Sequence, residues 1–175
     1  MQSHARLFGH PAHQMLVAFP LGLLITGCVF DLIALATGYR DAATAGYWAI
    51  SAGILGAIAA APFGAIDWWH IPKRTRACRI GAYHGIGNLL VVALFIAAWF
   101  LRGNPADPAP ASLALSFAGC AVLFLTAWLG GELVSRLGIG VYENADVDAP
   151  SSLRSPGGAP DAAPKTPERS ARREH

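Results

Sequence analysis

Residues able to carry charge are scarce in this chain. Asp, Glu, Lys and Arg make up 14% of its 175 residues, against about 25% in a soluble globular chain. That shortage excludes the densely charged surface a water-soluble domain relies on. The formal net charge of +2 is spread over loops and tail, so no basic footprint for nucleic acid exists. Cysteine is sparse as well: Cys28, Cys78 and Cys120. An odd count cannot complete a disulfide set, and the spacing fits no metal motif. Cys28 and Cys120 lie inside apolar runs and read as packing residues, with Cys78 as an exposed thiol. The dinucleotide-binding, P-loop and nucleophile-elbow patterns are missing, as are Glu-x-x-His and His-Glu-x-x-His. These absences argue against a conventional soluble-type enzyme and leave open whether the chain catalyses anything. No internal inverted repeat, the mark of many transporters, is visible.

What is abundant is apolar sequence, 54% of the chain, with a mean hydropathy of +0.41. Four runs carry it: 15–37, 45–66, 80–101 and 112–134. Each is long enough to cross a hydrocarbon core of ~30 Å at 1.5 Å per residue. In lipid such segments must be helical, because only helices and closed barrels satisfy their own backbone. Short connections then predict an all-α membrane protein, an up-down bundle of four transmembrane helices. Arg6 precedes the first run, but that run exceeds a signal-peptide core of about 7–15 residues and contains Asp31, so it reads as a retained helix.

Lys and Arg set the expected orientation. Arg6, Lys73, Arg74, Arg76, Arg79 and Arg136 flank one side, against Arg40 and Arg102 on the other. The positive-inside rule places both termini in the cytoplasm. Trp48, Trp68, Trp69, Trp99 and Trp128 lie at or near the run ends, as an interfacial belt requires. The transmembrane domain is expected over 1–142. Residues 143–175, rich in Pro, Ala, Gly and Ser without apolar periodicity, are expected to form a disordered cytoplasmic tail.

The polar residues of the runs converge on one level. His10 and His13 precede or open the first helix, and Asp67 ends the second, followed by His70. His84 and Asn88 lie one turn apart early in the third, and Glu132 ends the fourth. Pro20, Pro62, Gly64, Gly81, Gly85, Gly87, Gly130 and Gly131 gather at the same end, where they permit irregular backbone and close approach. Gly81-x-x-x-Gly85 matches the small-xxx-small pattern of packed membrane helices.

Each residue has a plainer role available. Asp67 and Glu132 can pair with Arg74, Arg76 or Arg79 at the headgroups, worth roughly 0–1 kcal/mol. His10, His13 and His70 can be interfacial side chains. His84 needs a partner inside the bundle; Asn88 or Glu132 would supply it and lock the helices together. Asp31 is expected nearer the far face, within reach of Arg40 or Arg102.

These same residues carry a family resemblance. The stretch from Gly9 to Leu23, Asp31, Asp67-Trp68, Arg79 to Asn88, and Trp128 to Val141 together resemble a family of small bacterial membrane proteins, domain of unknown function 2231. The resemblance covers about Leu7 to Val141 and implies four helices in a bacterial inner membrane. Some relatives look like fusions with a Rieske iron–sulfur domain, which implies membrane electron transfer. This chain has no Rieske ligand set, so such a partner would be a separate protein. The family often has a further histidine where Ala18 stands here.

Three functional expectations follow. The leading one is a membrane redox or metal-binding protein, with haem b or a divalent metal at the cluster. His84 would be the main ligand and His13 or His10 the second, with Asn88 beside them. Asp67 and Glu132 would be further metal ligands or would orient the imidazoles. The second is a non-catalytic subunit whose polar cluster only fixes packing and whose small-residue faces dock a partner. The third is a small transporter or proton pathway through Asp31, His84 and Glu132. Expected partners are the lipid bilayer, a separate redox protein and, left open, a second copy of the chain; no nucleic acid is expected.

Overall fold

The computed structural model describes residues 1–143, 145–149 and 151. Most of the tail expected from 143 onward lies outside the described residues. The chain opens with a two-residue hairpin, β1 (Arg6–Leu7) paired antiparallel to β2 (His10–Pro11). Phe8 and Gly9 make its turn with φ of 50° and 83°, the left-handed backbone such a tight turn needs. Four helices follow: α1 (Ala12–Thr37), α2 (Arg40–His70), α3 (Arg76–Leu101) and α4 (Pro110–Ser135). A second small hairpin, β3 (Gly103–Asn104) with β4 (Asp107–Pro108), links α3 to α4.

Local sequence explains the helix ends. α1 stops at Gly38, whose φ of 73° turns its N–H back to the Ala34 carbonyl, a left-handed cap that glycine takes without strain. α2 stops before Ile71-Pro72, because the residue ahead of a proline is pushed out of helical backbone; Ile71 is extended at φ −67° and ψ 130°. Thr75 caps α3 by accepting the Cys78 N–H at 3.1 Å. α4 begins at Pro110, where the missing N–H costs nothing.

α2 is the longest helix at 31 residues, and the others have 26 each. At 1.5 Å per residue every one exceeds a ~30 Å hydrocarbon core. All four are long and apolar enough to cross a membrane. Their outward faces are apolar as well: Phe19, Leu35, Trp48, Leu55, Ile86, Leu89, Phe100, Leu125 and Trp128 are all exposed. So much bare hydrocarbon side chain suits lipid as the solvent and is untenable in water.

The helices run up and down as two tight hairpins, α1 with α2 and α3 with α4, laid against each other. A core of Leu24, Cys28, Ile50, Ile54, Val91, Phe95 and Leu123 joins them. Glycine allows the close approach within each hairpin. A Cβ on Gly53 would meet Leu24 at 2.7 Å, and one on Gly119 would meet Phe95 at 3.0 Å. Small residues take this role in lipid because apolar side chains gain little by leaving hydrocarbon, so packing must bind the helices.

At the end where α1 and α3 finish, Asp31 accepts two hydrogen bonds from Arg102, at 2.6 and 2.9 Å. Arg102 also donates to the Ala43 carbonyl at 2.7 Å. Of the two arginines expected to reach Asp31, Arg102 does so. Arg40 instead meets Asp107 at 3.5 Å.

Candidate functional site

The opposite end of the bundle, where α1 and α3 begin, carries the histidines. His13 lies in the first turn of α1, and its Nδ1 donates to the Ala60 carbonyl of α2 at 3.1 Å. His84 lies in α3, and its Nδ1 donates to the Thr126 carbonyl of α4 at 2.9 Å. A carbonyl can only accept, so Nδ1 carries the proton in both rings and Nε2 of the neutral imidazole presents a lone pair. Each ring lies against a glycine one turn beyond its carbonyl. A Cβ on Gly64 would sit 2.8 Å from His13 Cε1, and one on Gly130 would sit 3.0 Å from His84 Cε1. The two imidazoles meet across the hairpin boundary with ring centres 6.4 Å apart and planes at 88°.

Asn88 completes the arrangement. Its amide donates to His84 Nε2 at 3.1 Å and to the His84 carbonyl at 2.9 Å. Its oxygen accepts from the Thr126 hydroxyl at 3.0 Å. The side-chain partner that His84 requires is therefore Asn88 in the same helix, and the bonds of both to Thr126 tie α3 to α4.

The other residues of the expected cluster have partners of their own. Asp67 grips the N-terminal segment, accepting from Ser3 Oγ at 2.8 Å, from the His4 N–H at 2.8 Å and from the Ala5 N–H at 3.2 Å. Ser3 is buried as a result. His70 stacks on His4 with ring centres 3.8 Å apart. Glu132 pairs with Arg76 at 2.6 Å, and Arg76 is half exposed. His10 belongs to β2 and is engaged in an interaction of its own. Among the described residues no three His, Cys, Asp or Glu side chains come together as a metal cage.

The small-residue pattern splits. A Cβ on Gly81 would strike Trp68 at 2.7 Å, so Gly81 admits that indole, whereas Gly85 faces open space. Trp68 in turn donates from its ring nitrogen to the Cys78 carbonyl at 3.0 Å.

Sequence reasoning named His13, His84 and Asn88 but missed the carbonyls of Ala60 and Thr126, which carry no side-chain signal. It noted Gly64 and Gly130 only as helix breakers. That each faces an imidazole follows from pairings between helices, which local sequence does not encode.

A family model described as "Predicted membrane protein (DUF2231)" matches residues 9–143, which hold the whole bundle and the imidazole pair. No curated protein and no solved structure matches the chain.

Proposed function

The chain belongs to the DUF2231 family of predicted membrane proteins, and from that premise we propose that it is a membrane redox component holding a metal centre between His13 and His84. The observation that carries this reading is the pairing of the two imidazoles across the hairpins, 6.4 Å between ring centres. Both donate from Nδ1 to backbone carbonyls, so a metal would be taken at Nε2, which on His84 accepts from Asn88 in this arrangement. The centre is haem b or a divalent metal, supplying one-electron chemistry in the first case. Asp67 and Glu132 serve it at a distance: Asp67 anchors the segment that leads into His13, and Glu132 fastens α4 to the start of α3.

The proposed setting is the bacterial inner membrane with both termini in the cytoplasm. The excess of Lys and Arg at the imidazole end supports that orientation. Electrons would pass to a separate redox protein docked at that face.

Haem extraction and metal analysis of the purified chain test the reading. Wild type is expected to retain one equivalent of cofactor and His84→Ala to lose it. Equal content in both proteins would sink the proposal.

A second reading has one observation in its favour: Asn88 engages His84 Nε2, as a purely structural lock would. The chain is then a non-catalytic subunit that purifies without cofactor and brings a second polypeptide with it. A proton relay is disfavoured, because Asp31 is committed to two hydrogen bonds from Arg102.

A further inference from the structure

Charge at the imidazole end does not balance, and the excess sits beside one loop. Residues 71–75 join α2 to α3 and, with the first turn of α3, supply Lys73, Arg74, Arg76 and Arg79, all of them exposed. The two carboxylates that the helices bring to this end are already engaged. Asp67 accepts from Ser3, His4 and Ala5, and Glu132 pairs with Arg76. Arg74 and Arg79 form no ion pair among the described residues.

The loop holds its cations in fixed places. The Thr75 hydroxyl donates to the Pro72 carbonyl at 2.7 Å and accepts from the Cys78 N–H at 3.1 Å. Lys73 donates to the Trp69 carbonyl at 3.3 Å and lies over the Trp68 and Trp69 rings, 4.7 and 5.3 Å from their centres. Between these anchors Arg74 takes a φ of 64°, left-handed backbone that a residue with a side chain adopts only where its neighbours impose it. A loop ordered in advance loses little entropy when a ligand arrives.

From this loop each flanking helix carries an exposed apolar stripe into the bilayer. Arg79, Tyr83, Ile86 and Leu90 follow one another at steps of four, three and four, which is one face of α3, and all four are exposed. Trp69, Ala65, Pro62 and Ile58 repeat that spacing on α2 and are exposed too. Trp69 and Tyr83 stand nearest the loop, as aromatic rings do at headgroup level. A ligand that matches both parts carries an anion at the loop and hydrocarbon along the helices. Free phosphate or an acidic peptide would use the cations and leave the stripes bare.

We infer that the α2–α3 loop is a site that selects an anionic phospholipid from the surrounding leaflet. Arg74 and Arg79 take its phosphate, and its acyl chains lie along the two stripes. Arginine suits the role, because its planar fork meets phosphate oxygens in pairs. The site is independent of the metal-centre reading above.

The test is quenching of Trp69 fluorescence in the full chain, reconstituted in phosphatidylcholine vesicles doped with brominated phosphatidylglycerol or brominated phosphatidylcholine. The Trp69 signal is the difference between the chain and its Trp69→Phe variant. Brominated phosphatidylglycerol is expected to quench at a severalfold lower mole fraction. A cation near an anionic lipid surface is worth about fivefold in association. Arg74→Gln and Arg79→Gln are therefore each expected to cut the preference by up to about fivefold, and the double variant to show none. Arg40→Gln, at the opposite end, is expected to keep it. Equal quenching by the two lipids in wild type overturns the inference, as does a preference that survives in the double variant. An equal loss in Arg40→Gln reduces the effect to net charge and overturns the site. Displacement of the brominated lipid by millimolar inorganic phosphate or by a soluble polyglutamate peptide overturns the lipid and assigns the cations to that ligand instead.

Discussion

Arg102 and Asp31 form a two-pronged ion pair in the interior, with Nη1 to Oδ2 at 2.9 Å and Nη2 to Oδ1 at 2.6 Å. Both side chains are essentially sealed from the surface, at 3% and 0% exposed. Removing one partner strands the other charge, which costs about 3–5 kcal/mol. Asp31→Asn and Arg102→Ala are therefore expected to lower the detergent-solubilised melting temperature sharply. The double replacement Asp31→Leu with Arg102→Met is expected to be milder than either single change, as thermal unfolding followed by circular dichroism would show.

The glycines divide into two classes with opposite expectations. Gly64 and Gly130 have an imidazole where a methyl group would go. Gly64→Ala and Gly130→Ala should cost about 1–3 kcal/mol through overpacking and displace the rings. Gly85 and Gly131 face open space, so alanine there should stabilise the helix by about 0.5–1 kcal/mol. Melting temperatures of the four variants, moving in opposite directions by pair, would check this.

Asn88 holds His84 Nε2 and the Thr126 hydroxyl at once. Asn88→Ala is expected to cost about 0.5–1.5 kcal/mol per lost hydrogen bond. It also frees the ring nitrogen, so cofactor retention through purification is expected to rise. Lower retention in Asn88→Ala would show that the amide supports the site and does not compete for it.

Asp67 and Glu132 make a contrasting pair of carboxylates. Asp67 accepts from three donors in residues 3–5, so Asp67→Ala should release the N-terminal segment to faster hydrogen exchange and proteolysis. Glu132 pairs with the half-exposed Arg76, and such pairs are worth only about 0–1 kcal/mol. Glu132→Gln should leave melting and cofactor content nearly unchanged. Equal exchange protection of residues 1–11 in Asp67→Ala and wild type would contradict the anchoring role.

The bundle was legible because lipid enforces a simple rule: uninterrupted apolar runs must be helices that satisfy their own backbone. The helices outrun those runs at several ends. α2 starts at Arg40 and continues to His70, since charged and aromatic residues tolerate the interface and caps, not hydropathy, set where a helix stops. That His13, His84 and Asn88 share one end of the bundle was readable from spacing alone. Which of the converging residues touch was not, because Asp67 is drawn off by backbone N–H groups of residues 4 and 5 and Glu132 by Arg76. Arg76 was among the arginines the sequence offered to Glu132, whereas backbone N–H groups as the partners of Asp67 leave no mark in the local sequence.

The most direct measurement is the absorption spectrum of the full chain purified in mild detergent, recorded air-oxidised and again after dithionite. The account predicts a Soret band that sharpens and shifts on reduction in wild type and is lost when His13 and His84 are both replaced by Ala. A featureless spectrum from protein that also carries no stoichiometric metal would contradict it, and the imidazole pair would then be a packing device between the two hairpins.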